Sequence, residues 1–564
     1  MDYPTFLKKV DQFAAKCDVD SLRLFVHEIA RTIPESNRER FLTTLNNFSD
    51  LSTETPSEEK ANDAYLSDQI DRILQALCEI QNGDRELESE YNEEWDDWND
   101  DAEDEFRFAD PSGVLDDVAL AIRSLHDALD REEYEKGAEL AQRLSELTIQ
   151  VSGDYEDAME IRDLVSYDLL DISLEQTVKE AIYLVYAGAR EPKCAETMLM
   201  VMDNFADYSI PLEAVLQMGS EEINLNALLP SWMEELAKRP EAKVDGLLKE
   251  AQDMLQDKND ILNYASRYAE SHPILYQNIL QKGLNDSSPE EMTQIGLRGM
   301  KEIPVSHKIR SAVSLLTAKY ALKTQNRQTA ETCWLEAFRS LPTVVNYLRL
   351  RLQSQCWENY ADMARDIYAS FYASRNQWDQ KPLAALMFFD ARFEEMIDRF
   401  MKPGKGIGWS STFMKEGIAL MLMLLDTGSE NRPGMSAMRE IAMHACSFDC
   451  EGYCTGTDVV SNSSDSAFFH ECFDKWKSQT ALPENVHDLW TAKIEQWIAL
   501  RVSAIMDVNR RNYYGECAAF IAALGEVQES GNPGYKDHLM QQYRTDYSRR
   551  RAFHDELRRY GMRK

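Results

Sequence analysis

Apolar residues recur at the spacing of one helix face along almost all of this chain, and that period limits the fold more than any other feature. In DSLRLFVHEIA, Leu22, Phe25, Val26 and Ile29 fall at i, i+3, i+4 and i+7, the stripe a helix turns toward a core. RFLTTLNNF sets Phe41, Leu45 and Phe48 on one face, and AYLSDQIDRILQALCEI does so with Leu66, Ile70, Ile73, Leu74 and Leu77. The pattern resumes with Val114, Val118, Ile122, Leu125 and Leu129. Few stretches alternate with period two. Glycine (23) and proline (17) are scarce in 564 residues, so little interrupts a helix. The fold expected is all-α, with no sheet of any size.

A chain this long exceeds one ordinary core. In NRQTAETCWLEAFRSLP, Ala330, Trp334, Ala337 and Pro342 have the spacing of the second helix and closing proline of a tetratricopeptide-like hairpin. Tyr320, in the preceding helix, is one residue out of phase. Tyr134, Ala138 and Ala141 in DREEYEKGAELAQRL place small residues where two helices pack closely. Tyr264, Ala265 and Tyr268, then Pro273, Ile274, Ile279 and Leu280, read as another pair. Unit spacing is uneven. The architecture predicted is an irregular α-solenoid of helical hairpins with a C-terminal helical domain.

Composition shifts mark the boundaries. A helical unit spans 1–83, and an acidic linker follows over 84–110. That linker carries 14 carboxylates against Arg85 and Arg107, a composition that stays solvated. The helical-repeat body is 111–402. Pro403, Gly404, Gly406 and Gly408 predict an exposed hinge at 403–411. The remainder, 412–564, is a helical domain ending in a basic tail. Between Gln541 and Lys564, Arg544, Arg549, Arg550, Arg551, Arg558, Arg559, Arg563 and Lys564 outnumber Asp546, Asp555 and Glu556.

The formal net charge of −37 repels phosphate backbones, which excludes general nucleic-acid binding by the whole molecule. The opening MDYPTFLKKVDQF lacks the apolar core of a signal peptide. The longest apolar run, Ile418 to Leu425, is far below a bilayer span and reads as a buried helix. Ten scattered cysteines read as reduced thiols. The location expected is the cytoplasm, without a membrane partner.

The C-terminal stretches RRNYYGECAAFIAALGEVQES and YRTDYSRRRAFHDELRRYG carry a family resemblance. Arg511, Tyr514, Ala518 and Ala519, then Tyr543, Arg549, Arg551, Phe553 and Leu557, resemble the end of the helical-repeat region in bacterial SWIM zinc-finger-associated proteins. The resemblance covers a minor part of the chain. That family's zinc motif, Cys-x-Cys followed by Cys-x-His, does not occur here. The resemblance implies a helical-repeat fold and says little about function.

Candidate chemistry is sparse. Cys446, Cys450 and Cys454, with His470 or Cys472, offer donors for a tetrahedral zinc site. Three residues separate the paired cysteines where zinc knuckles use two, although i and i+4 on one helix also converge. The competing reading is a buried cysteine face. GKGIGWSS fails the phosphate-loop pattern, since its lysine precedes the second glycine and no strand precedes it. The pairs His126-Asp127, His487-Asp488 and His554-Asp555 lie in separate helical stretches, and no serine sits in a nucleophile elbow. No enzyme and no required cofactor are expected.

Two features point to partners instead. Trp95, Trp98 and Phe106 stand among carboxylates, although linkers are poor in aromatics, which marks this segment as one that docks. Arg549, Arg550, Arg551, Arg558 and Arg559 form a basic helix side, read either as a solvated capping helix or as a dock for nucleic acid or an acidic segment. The function expected is a non-catalytic interaction scaffold or regulatory subunit in a bacterial cytosol. It would bind protein partners through a concave helical surface or the acidic segment. The alternatives are a regulator released by proteolysis near the hinge, as in phage defence, and a nucleic-acid-linked protein acting through its tail.

Overall fold

Helix caps and apolar stripes set the architecture, seen in a computed structural model of the chain. It describes residues 59–91, 106–155, 157–189, 194–205, 210–219, 224–373, 380–402, 408–428, 432–482 and 486–563. The fold is all-α, built of helical hairpins, with three short strands among the described residues. No helix among the described residues is long and apolar enough to cross a membrane. The chain forms two compact units, Met1–Ile223 and Asn224–Lys564.

In the first unit, α1 (Glu59–Gln81) buries Leu66, Ile70, Ile73 and Leu77, four of the residues its period assigns to the core. Asp110 starts α2 (Val114–Asp130) by accepting the amides of Val114 and Leu115, each at 2.8 Å, the service an N-cap carboxylate gives. α3 (Tyr134–Ser145) buries Tyr134, Ala138 and Ala141 against α5 (Leu174–Ala189). Gly188 lets these helices touch, since a Cβ there would lie 2.4 Å from the Tyr134 carbonyl oxygen. The short α4 (Ile161–Ser166) precedes α5, and α6 (Cys194–Phe205) and α7 (Leu212–Leu216) pack on it.

The ends of the acidic run are strands, not linker. β1 (Leu87–Tyr91) pairs antiparallel with β2 (Phe106–Ala109), Tyr91 opposite Phe106, and parallel with β3 (Val151–Gly153). Leu87 is fully buried and anchors the sheet to the core. Gly153, at φ 107°, lies where a Cβ would overlap the Ser89 carbonyl oxygen, so only glycine permits that strand approach.

In the second unit, helices α9 (Glu241–Met254), α11 (Ile274–Lys282), α13 (Ile309–Lys323) and α15 (Val344–Gln353) begin 33, 35 and 35 residues apart. Between and after them lie α10 (Lys258–Arg267), α12 (Pro289–Glu302), α14 (Arg327–Ser340) and α16 (Glu358–Ala373), and α8 (Leu225–Leu236) precedes the series. α9 packs on α11, and α11 on α13, the neighbour pattern of stacked hairpins. Asp257, Ser288, Asn326 and Thr343 cap the starts of α10, α12, α14 and α15 through side-chain oxygens. Ala330, Trp334 and Ala337 are buried as their repeat spacing predicts, and the Trp334 indole donates to the Gly456 carbonyl at 2.7 Å.

The rest of this unit closes into a bundle of α17 (Lys381–Phe389), α18 (Phe393–Phe400), α19 (Met414–Leu425), α20 (Pro433–Ala445), α21 (Cys450–Cys454), α22 (Asp465–Ser478), α23 (Val486–Asp507), α24 (Tyr514–Glu529), α25 (Tyr535–Asp546) and α26 (Arg551–Arg559). α19 and α24 are buried on nearly every side, as all-round apolar sequence requires. α24 touches α19, α20, α23, α25 and α26. Their burial contributes about 1.5–3 kcal/mol for each large apolar side chain removed from water.

One apolar core runs from Phe338 to Met562, across the stretch read as a hinge. The division between units falls after Ile223, inside the segment taken as one repeat body. Pro403, Gly404 and Gly406 lie outside the described residues. Gly408 opens a 3₁₀ turn, Gly408–Ser411. Met401 and Trp409, on either side, are 1% and 4% exposed, which contradicts an exposed loop at those positions. The Trp409 ring meets Phe520 edge-on at 5.3 Å, with Arg501 over its face.

Candidate interaction surfaces

The small sheet of the first unit presents an aromatic face. Strand alternation puts Leu87, Ser89 and Tyr91 on the same side as Phe106 and Phe108, because side chains alternate along a strand. Burial fades along that side, from Leu87 in the core to Tyr91, which is 45% exposed. Phe108 meets Tyr167 at 5.0 Å and Tyr155 at 5.6 Å, and Phe106 meets Tyr155 at 5.3 Å and Tyr91 at 6.1 Å. These edge-to-face spacings are the favourable ones for aromatic rings. Phe106, Phe108, Tyr155 and Tyr167 remain partly exposed.

Backbone and hydroxyl bonds hold the face in place. The Tyr155 amide donates to the Ser89 hydroxyl at 2.9 Å, which donates in turn to the Ser152 carbonyl at 2.9 Å. The Tyr91 amide donates to Asp154 at 2.9 Å. Burial, then Tyr167 and the carboxylates of Asp163 and Asp157, hold the Tyr155 phenol above its usual pKa. Among the described residues no ammonium or guanidinium lies over these rings. In the sequence between Tyr91 and Phe106, residues 92–105 include nine more carboxylates. Trp95 and Trp98 are in that segment, outside the described residues. Of the three aromatics singled out in the sequence, Phe106 is placed, and it belongs to this face.

The cysteine group is only partly drawn together: Cys454 approaches Cys450, with Cys472 nearby. Cys446 caps the C-terminus of α20 and Cys450 begins α21, with Ser447 between them at φ 44°. The i, i+4 relation that would aim both sulfurs together needs one continuous helix, and the chain turns there. Cys450 and Cys454 do share α21. Burial pushes the Cys472 thiol up to about 12 and Cys454 to about 11, and raises Cys446 further. His470, on α22, lies 3.4 Å from Asp474 through Nε2. Burial, then Arg439, lower its pKa. Among the described residues no three His, Cys, Asp or Glu side chains are gathered to hold a metal ion.

The histidines of the His-Asp pairs are engaged locally. His126 bonds Glu180 at 3.0 Å, His487 its neighbour Asp488 at 3.3 Å, and His554 the Tyr547 carbonyl at 3.0 Å.

The basic residues divide by role. Arg550 is structural: its guanidinium donates to Asn509 at 2.6 Å and to the Met506 carbonyl at 2.7 Å. Arg559 pairs with Glu556 at 2.9 Å on the surface. Arg549 is exposed in the turn before α26. Arg551 and Arg558 line a concavity between α25 and α26. Buried Phe553 and Leu557 pin α26 to the core, so this is a folded hairpin rather than a loose tail.

Compared with models of protein families, with curated proteins and with solved structures, the chain matches none. The functional reading therefore rests on its own surfaces.

Proposed function

We propose that the chain is a non-catalytic interaction scaffold that binds a protein partner through a cationic segment seated on the aromatic face of the first unit. The observation that carries this reading is the partly exposed cluster of Tyr91, Phe106, Phe108, Tyr155 and Tyr167 beside Asp157 and Asp163. Aromatic faces attract ammonium and guanidinium groups, by about 0.5–2 kcal/mol each according to desolvation. Carboxylates around the rings add long-range attraction and reject acidic competitors. The fold suits the role, since helical hairpins in series offer broad surfaces. The cytoplasm is the compartment consistent with the unpaired cysteines among the described residues.

The test uses the full chain and two labelled peptides of equal length, one alternating Arg and Gly, the other Glu and Gly. The Arg peptide is expected to bind with an affinity that falls as salt rises. Equal binding of both peptides, or of neither, would remove the reading.

A further inference from the structure

The hairpin of α25 and α26 carries an open basic concavity of about 640 Å³. Arg551 and Arg558 stand two helical turns apart on one face of α26, with His554 between them, and Arg544, Thr545 and Ser548 line the opposing wall. Buried Met540 and Tyr543 fix α25, as Phe553 and Leu557 fix α26. The guanidiniums are therefore carried by a rigid frame.

Their charges are incompletely compensated. Arg558 pairs with Asp555, the one carboxylate of the lining. Among the described residues Arg544 makes one long hydrogen bond, 3.4 Å, to Gln541. Arg551 has no ion pair among the described residues, and the Ser548 hydroxyl has no partner among them either. Three guanidiniums against one carboxylate, in a chain of net charge −37, mark a place built for an anion.

The lining also says which anion. Guanidinium forks match phosphate oxygens in bidentate geometry. No Phe, Tyr or Trp side chain lines the concavity, which leaves it without the large aromatic platforms on which successive bases stack. The overall charge opposes an extended polyanion, whereas a compact dianion meets only the local field. We propose that this concavity binds a phosphate monoester dianion. The proposal does not depend on the aromatic face of the first unit.

Calorimetry on the full chain tests it, with inorganic phosphate, a short phosphoserine peptide, its unphosphorylated form and a single-stranded RNA oligomer as probes. The phosphoserine peptide is expected to bind at least about tenfold more tightly than the unphosphorylated one. Arg551→Gln should lose about tenfold of that affinity, while Arg549→Gln, outside the concavity, should keep it. Circular dichroism of both variants checks that the hairpin is intact. Phosphate binding as tightly as the peptide supports a small-molecule source, and preference for the peptide supports a phosphorylated protein. Indifference to the phosphoryl group, equal losses from both variants, or tighter binding of RNA would each overturn the proposal.

Discussion

The indole N–H of Trp476 donates to the carbonyl oxygen of Phe389 at 2.8 Å, and the two rings meet edge-on at 4.9 Å. Phe389 ends α17, before the glycine-rich stretch, and Trp476 lies in α22, after it. Arg351 reinforces the junction by donating to the same carbonyl at 3.1 Å and lying over the Trp476 ring. The helices on both sides of 403–411 are therefore one folding unit. A protease site inserted between Lys405 and Gly406 should give two pieces that co-elute in gel filtration and melt in one transition. Separate elution of the pieces would contradict the single core. Trp476→Ala should cost this unit about 3–5 kcal/mol in urea unfolding.

A pH dependence belongs to the first unit. Glu180 is 6% exposed, and its hydrogen bond holds the His126 pKa up at about 9. The folded pKa exceeds the unfolded one, so the stabilisation is complete below about pH 6.5 and is lost as pH rises through about 9. His126 is more than half exposed, and solvent screens the effect. The thermal midpoint of this unit should fall between pH 6.5 and 9, and Glu180→Gln should flatten the fall. An equal fall in the variant would assign the effect to other groups.

Much of the helical fold was legible because its signal is local. Ala330, Trp334 and Ala337 occupy the core in the phase their spacing implies. The 33–35-residue period was hidden, because α10, α12, α14 and α16 start 31, 38 and 31 residues apart and blur the register of the helices that do repeat. The strands were missed because Phe106 and Phe108 alternate over only four residues and a third strand arrives from Val151. The aromatic face was half legible: Phe106 stood out among acids, whereas Tyr155 and Tyr167 reach it from distant loops. The glycines near 406 suggested a boundary; Trp409, just after them, is buried against Phe520, a contact no local pattern encodes.

Thiol reactivity separates the core reading of the cysteines from a metal site. Burial pushes the thiols of Cys333 and Cys517 up to about 12, like Cys472. Cys356 is exposed. Brief alkylation at neutral pH, mapped by mass spectrometry, should modify Cys356 well before Cys446 or Cys472, since the thiolate is the reactive form. Protein purified without chelator should then melt unchanged when chelator is added. A stoichiometric zinc ion whose removal lowers the midpoint would contradict the core reading.

The binding role of the aromatic face is tested most directly by the dissociation constant of a labelled arginine-rich peptide for the full chain and for Tyr155→Ala/Tyr167→Ala. Both tyrosines are partly exposed, so the first unit should keep its fold, checked by its thermal transition. The account predicts a loss of about tenfold in affinity, the combined effect of two cation–π contacts. An unchanged dissociation constant in a folded variant would contradict it.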